Sequence, residues 1–363
     1  MLTILNKLKY DKKCYAFVVT ILYACTSNQE DITSNTSDYF IKAADMSFLP
    51  LIESENGIYK NNNQIQDPLV TLKNAGCNTI RLRLWHEPSD GHSGLSEVKI
   101  LSNRCRQLGL KIWLTVHYSD TWADPGSQSK PANWQNMNFT NLRNAVSAYT
   151  TQIMDEINPD IIQIGNETND GMLWPEGKLS SNETQYLVLV NTAITSVRQK
   201  SNTTKIMLHY AGLSGADYFF NKVNALNYDY IGLSSYPVWH GQSLPALQNT
   251  INQLGQSYNK KVIIAETAYP FTLNYNDYTN NIVGLQNQLI NTYPATETGQ
   301  KDFLTAIHNI MKQSSNGLGY CYWGAEWIAF RGPTATNGSS WENQALWDFN
   351  FNALPVLSVF NLN

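Results

Sequence analysis

The stretch Ile161-Ile162-Gln163-Ile164-Gly165-Asn166-Glu167 reads as a buried parallel strand that ends in a carboxylic acid. Isoleucines around one uncharged polar residue suit a strand covered on both faces, as parallel strands are. A glutamate directly after such a run stands at the carboxyl end of the strand, where barrel-type and open α/β proteins keep their chemistry. Val262-Ile263-Ile264-Ala265-Glu266 repeats the pattern downstream.

Working outward from these two stretches, further strands are predicted at about 40–46, 79–85, 111–118, 205–210, 230–236 and 318–324, beside 161–167 and 261–267. Helical patterns lie between them. Val98, Leu101, Cys105 and Leu108 recur at spacings of three and four, and Leu142, Val146, Tyr149, Ile153 and Ile157 do the same. Ser180 with Glu183 fits a capping box, and Gly76 and Gly109 fit glycines that close helices. Eight strand–helix units predict a single α/β domain, a (β/α)8 TIM barrel over residues 39–363, with a doubly wound sheet as the alternative. Two long insertions are expected, at 119–138 and 325–345, on the face that shapes a cleft.

Composition narrows the ligand. A formal net charge of −4 without a basic cluster in the folded part argues against nucleic acid or an anionic membrane surface as partner. Charged residues make up 15% of the chain and aromatics 12%, a balance that suits a neutral, hydroxyl-rich ligand. Cys77, Cys105 and Cys321 have no regular spacing and read as small buried hydrophobes rather than a disulfide framework or zinc site.

The N-terminus reads as a targeting segment. Lys7, Lys9, Lys12 and Lys13 precede an apolar run from Cys14 to Ala24 that is too short for a stable membrane anchor. It ends Leu22-Tyr23-Ala24-Cys25, which resembles the bacterial lipobox. On that reading residues 1–24 are a lipoprotein signal peptide, Cys25 is lipidated, and 25–38 form a solvated tether. The protein is then expected at the outer membrane, attached by lipid alone. An ordinary secretory signal is the alternative.

Two glutamates at strand ends are the equipment for hydrolysing a glycosidic bond. Taken singly, each reads equally well as a salt-bridged acid. On the fourth and seventh strands of a barrel, Glu167 and Glu266 face each other across the mouth. Carboxyls about 5–5.5 Å apart predict retention, and a gap of roughly 6.5–9.5 Å predicts inversion. Asn166 is placed to donate to a sugar hydroxyl. Arg81 and Arg83 share one face of the second strand, and Arg83, nearer the mouth, is expected to orient Glu266. Tyr236 is expected to hydrogen-bond the nucleophile. His117 is read as a contact to substrate or to the acids, or as a structural hydrogen bond. Eight of the ten tryptophans fall at or after strand ends. About half are expected to anchor loops, with Trp239, Trp323 and Trp327 as sugar platforms. Neither His117 nor His209 has a second ligand at helical spacing, so no metal is expected.

The motifs themselves resemble glycoside hydrolase family 53, the endo-β-1,4-galactanases. The matching stretches include Ala44-Asp45-Met46-Ser47, Asn78-Thr79-Ile80-Arg81-Leu82-Arg83-Leu84-Trp85, His117-Tyr118-Ser119-Asp120-Thr121-Trp122-Ala123-Asp124, Gly165-Asn166-Glu167, Leu233-Ser234-Ser235-Tyr236-Pro237, Ala265-Glu266-Thr267 and Trp341-Glu342-Asn343-Gln344-Ala345-Leu346-Trp347-Asp348. The resemblance implies Glu167 as acid/base and Glu266 as nucleophile in a retaining double displacement on β-1,4-galactan, with Asp120 among the substrate contacts. It implies no cofactor. Family members from Bacillus carry an acidic loop after the seventh strand that looks built for calcium. Here Thr272 to Asn280 offer one carboxylate, Asp277, so none is expected. A monomer is expected. Two other readings stay open: a related hydrolase acting on mannan, xylan or a glucan, and a surface glycan-binding lipoprotein that does not cut.

Overall fold

The computed structural model describes residues 39–363. The expected signal peptide, Cys25 and the tether lie outside the described residues. Eight parallel strands close on themselves: β1 Ile41–Asp45, β2 Thr79–Leu84, β3 Lys111–Val116, β4 Ile161–Ile164, β5 Lys205–Ala211, β6 Tyr230–Ser234, β7 Lys261–Thr267 and β8 Gly317–Tyr322. β1 pairs with both β8 and β2, which seals the ring. The alternative of an open doubly wound sheet is thereby excluded. A short antiparallel hairpin, Lys60–Asn61 with Gln64–Ile65, stands apart in the connection after β1.

The barrel follows from alternation along each strand. Residues of one parity face the helices, and those of the other fill the interior. Ile80, Leu82 and Leu84 of β2 join the large outer core, together with Val98, Leu101 and Cys105 of the helix Leu95–Gln107. The predicted stripe Leu142, Val146, Tyr149 and Ile153 is buried on the helix Phe139–Glu156. Inside, Ile41, Ala43, Trp113, Ile161, Met207, Ile263 and Cys321 form a separate apolar plug. Higher up the same inward parity turns polar: Asp45, Arg81, Arg83, Thr115, His117, Gln163 and His209 are all buried. The interior is therefore apolar at its floor and hydrophilic at its mouth.

β7 breaks the alternation at the position that matters. Val262 and Ile264 face the helices, and Ile263 and Ala265 face the plug, so a regular strand would turn Glu266 outward. The ladder with β6 slips here: Leu233 pairs with Ile264, but Ser234 pairs with Glu266. The ladder with β8 slips between Tyr320 and Tyr322 as well. Such a bulge re-aims a side chain, and here it delivers the carboxylate of Glu266 into the mouth.

Two local expectations fare differently. Gly76 and Gly109 take left-handed backbone (φ 96° and 72°) directly after helix ends, as C′ glycines do. Ser180 does not cap its helix. The helix Leu179–Lys200 starts one residue earlier, is kinked at Asn182, and Ser180 is instead held by Asp170. Besides the two expected insertions, residues 268–296 after β7 form a long irregular connection containing one 3-10 turn.

Candidate active site

Glu167 and Glu266 are brought together at the mouth. One carboxylate oxygen of each, with a ring nitrogen of His209, lie within 4.8 Å of one another. Glu266 follows from the bulge in β7. Glu167 leaves β4 through Gly165 (φ 76°) and itself takes φ 46°, a left-handed conformation that a non-glycine residue holds only under constraint from its surroundings. A Cβ on Gly165 would come within 2.4 Å of Thr168 Cγ2, so only glycine fits that turn.

The partners of the two acids differ. Glu266 Oε1 accepts from Arg81 Nη2 at 2.6 Å and Oε2 accepts from the Tyr236 hydroxyl at 2.9 Å. Arg81 also donates to Asp45 Oδ2 at 2.7 Å and to Asn166 Oδ1 at 3.1 Å, and its guanidinium rests 5.6 Å above the Trp113 ring. Among the described residues no cation pairs with Glu167. Its Oε1 accepts from Ser234 Oγ at 2.5 Å, and Ser234 Oγ meets His209 Nε2 at 2.9 Å. His209 Nδ1 accepts the backbone N–H of Glu167 at 3.3 Å, which places the ring proton on Nε2. The chain therefore runs in one direction: His209 donates to Ser234 and Ser234 donates to Glu167. Both nitrogens of His209 are thus engaged by protein groups, which leaves none for a cation between the two acids.

Electrostatics separates the pair. Burial, and then the charge of Glu266, push the Glu167 carboxyl up to about 8. Burial also raises Glu266, but Arg81 and Tyr236 pull it back. Glu266 is accordingly the member that carries the negative charge, and Glu167 keeps its proton at neutral pH. His117 and His209 are driven well below the ordinary histidine range by burial and then by nearby arginines, so both stay neutral.

The acids sit in a cleft of about 390 Å³. Of the expected contacts, Asn166, Arg83, His117, Tyr236, Trp239 and Trp323 line it. Asn166 donates to Ala123 O with one amide hydrogen, and the backbone N–H of Ala123 in turn donates to His117 Nδ1. The His117 Nε2–H is left for the cleft. Three expectations need correcting. Arg83 does not orient Glu266; Arg81, one turn of the pleat deeper, does so, while Arg83 donates to Ser93 Oγ and lies 4.3 Å from the ring centroids of Phe48, Trp85 and Trp122. Trp327 is not in the cleft wall but stacks on Phe48 at 4.0 Å. Asp120 is likewise outside it, accepting from the N–H groups of Glu87 and Ala132 and so pinning two loops together.

Trp122 and Trp341 complete the aromatic wall, so half of the eight strand-end tryptophans reach the cleft, as expected. Asp45, Gln163, His209 and Ser234 were not singled out as site residues. The signal for them was present: each is a polar residue at the inward parity of its strand, above an apolar one. The loop after β7 keeps Asp277 as its one carboxylate, but Glu342 reaches over from beyond β8 and accepts from the N–H of Asn276.

With this geometry in hand, comparison with known proteins is decisive. The family described as "Glycosyl hydrolase family 53" matches residues 41–360. This chain belongs to that family. It is 33% identical to the arabinogalactan endo-β-1,4-galactanase of Cellvibrio japonicus, over 96% of this chain and 97% of that one. An endo-β-1,4-galactanase of Bacillus subtilis is 30% identical over 88% and 85%. Among solved structures, the family 53 catalytic domain of Ignisphaera aggregans superposes with a TM-score of 0.83 at 38% identity, covering 89% of this chain and 96% of its own. The barrel is thus the fold of a family 53 catalytic domain.

Proposed function

We propose that this family 53 hydrolase cleaves β-1,4-galactan internally by a retaining double displacement. The observation that carries the mechanism is the pair of carboxylates within 4.8 Å, one held by Arg81 and Tyr236 and the other paired with no cation among the described residues. That spacing falls with the roughly 5–5.5 Å of retaining pairs rather than with the roughly 6.5–9.5 Å of inverting ones. The Glu266 carboxylate attacks the anomeric carbon as the bond to the leaving oxygen breaks, and Glu167 gives its proton to that oxygen. Once Glu266 is esterified its charge is gone, the pKa of Glu167 falls, and Glu167 takes a proton from the water that releases the product. Galactan as substrate rests on the galactanase relatives and on a neutral, tryptophan-walled cleft that suits the apolar faces of sugar rings.

The test is Glu266→Ala with azide on linear galactan. An α-configured glycosyl azide, the product of one inverting displacement by azide from the face Glu266 occupied, is expected; absence of rescue overturns the nucleophile assignment. Parallel incubations with xylan and mannan check the substrate. We further propose that Cys25 carries a lipid that holds the monomeric enzyme at the outer membrane. Labelling with a fatty-acid analogue should mark the wild type and not Cys25→Ser, and equal labelling refutes the anchor.

A further inference from the structure

The connections after β1, β7 and β8 enclose a second hollow of about 380 Å³ that shares no lining residue with the catalytic cleft. Connections that follow strands emerge at the carboxyl end of a barrel, so both hollows open on the same end. Its walls are the rings of Phe330, Phe349 and Phe351, with Pro333 beside them and the amides of Asn56 and Asn276 at the edge. No charged residue lines it. The cations nearby are already engaged: Arg331 with Glu55 and Asn337 O, and Lys60 with Asn350 O.

Phe351 is held there against its own preference. It adopts φ 66°, a conformation that a bulky residue avoids. Its N–H donates to Asp348 O, and its carbonyl accepts from Lys60 N, so the ring is fixed in the wall while remaining only half-buried. Asn276 links the two hollows: its N–H donates to Glu342, the neighbour of Trp341 in the catalytic wall.

We propose that this hollow is a second carbohydrate site that grips a further stretch of neutral β-linked hexopyranose polymer. The inference rests on the galactan reading above. Aromatic rings with amides beside them match a sugar ring's apolar C–H face and its hydroxyls; Arg331, 5.0 Å from the Phe330 centroid, and Lys60, 5.9 Å from the Phe351 centroid, add N–H donors for hydroxyls at the rim. A repetitive polymer held beside the cleft raises the local concentration of cleavable bonds without any new chemistry.

The experiment compares wild type with Phe330→Ala and Phe351→Gly, the second chosen because glycine accepts the left-handed backbone and keeps the turn. Retardation in galactan-containing native gels and KM on long galactan are measured beside kcat/KM on an aryl galactobioside. Weaker retardation and a rise in KM of about three- to tenfold on polymer, the scale of one lost ring contact, with the short substrate unaffected, support the site. Unchanged retardation and KM in both variants overturn it, and so does an equal loss on the short substrate. A wild type that cuts xylan or mannan but not galactan instead refutes the functional reading.

Discussion

Ser234→Ala isolates what the hydrogen-bond chain behind Glu167 does. The serine hydroxyl donates to Glu167 Oε1 at 2.5 Å, and that donation favours the ionised acid. A hydrogen bond to a charged group is worth about 1.5–3 kcal/mol and one to a neutral group about 0.5–1.5. The difference, roughly 1–1.5 kcal/mol, corresponds to about one pH unit. Because Glu167 must be protonated in the free enzyme, kcat/KM on galactan should hold up to about 8 in the wild type and fall above it. Removing the hydroxyl favours the protonated form, so the basic limb of Ser234→Ala should move up by about one unit. Ser234→Thr keeps the donor and should keep the limb. Initial rates of reducing-end release across the pH range give the profiles, with circular dichroism to check the fold. A basic limb that stays put or moves down in Ser234→Ala refutes the chain as described.

Glu167→Ala should lower kcat on polymer by about 10²- to 10⁴-fold, the usual range for a lost general acid, with product analysis still showing endo cleavage. Arg81→Met strands the buried charges of Asp45 and Glu266 and should destabilise the fold by about 3–5 kcal/mol, read from urea unfolding; a stable variant would show that the guanidinium is dispensable to the mouth. Gly165→Ala forces a Cβ against Thr168 and imposes left-handed backbone on alanine, so a loss of about 1–3 kcal/mol is expected. Its activity should fall further than its stability, since a displacement near 1 Å can cost about a hundredfold.

The strands were legible because each is a short, largely apolar run between turn residues and helical patterns, and their predicted bounds agree with the observed ones to within a few residues. The two acids were legible because a glutamate closing an uncharged strand has no solubility role. The roles of the arginines were not. Alternation puts Arg81 and Arg83 on the same inward face but does not fix which level of the barrel meets Glu266, and that level depends on the stagger of all eight strands. Trp327 was misplaced for a related reason: proximity to a strand end says that a ring is near the mouth, not whether it faces sugar or Phe48. The capping box at Ser180 lost to Asp170, a partner ten residues away that local pattern cannot reveal.

The slip in β7 also bears on engineering. Copying the acids, Arg81 and Tyr236 onto an idealised barrel with unbroken ladders would send Glu266 into the helical layer, against apolar side chains, and leave Arg81 without that carboxylate. The reactive geometry is stored in one surplus residue of main chain, so transplanting this chemistry means transplanting the defect with it.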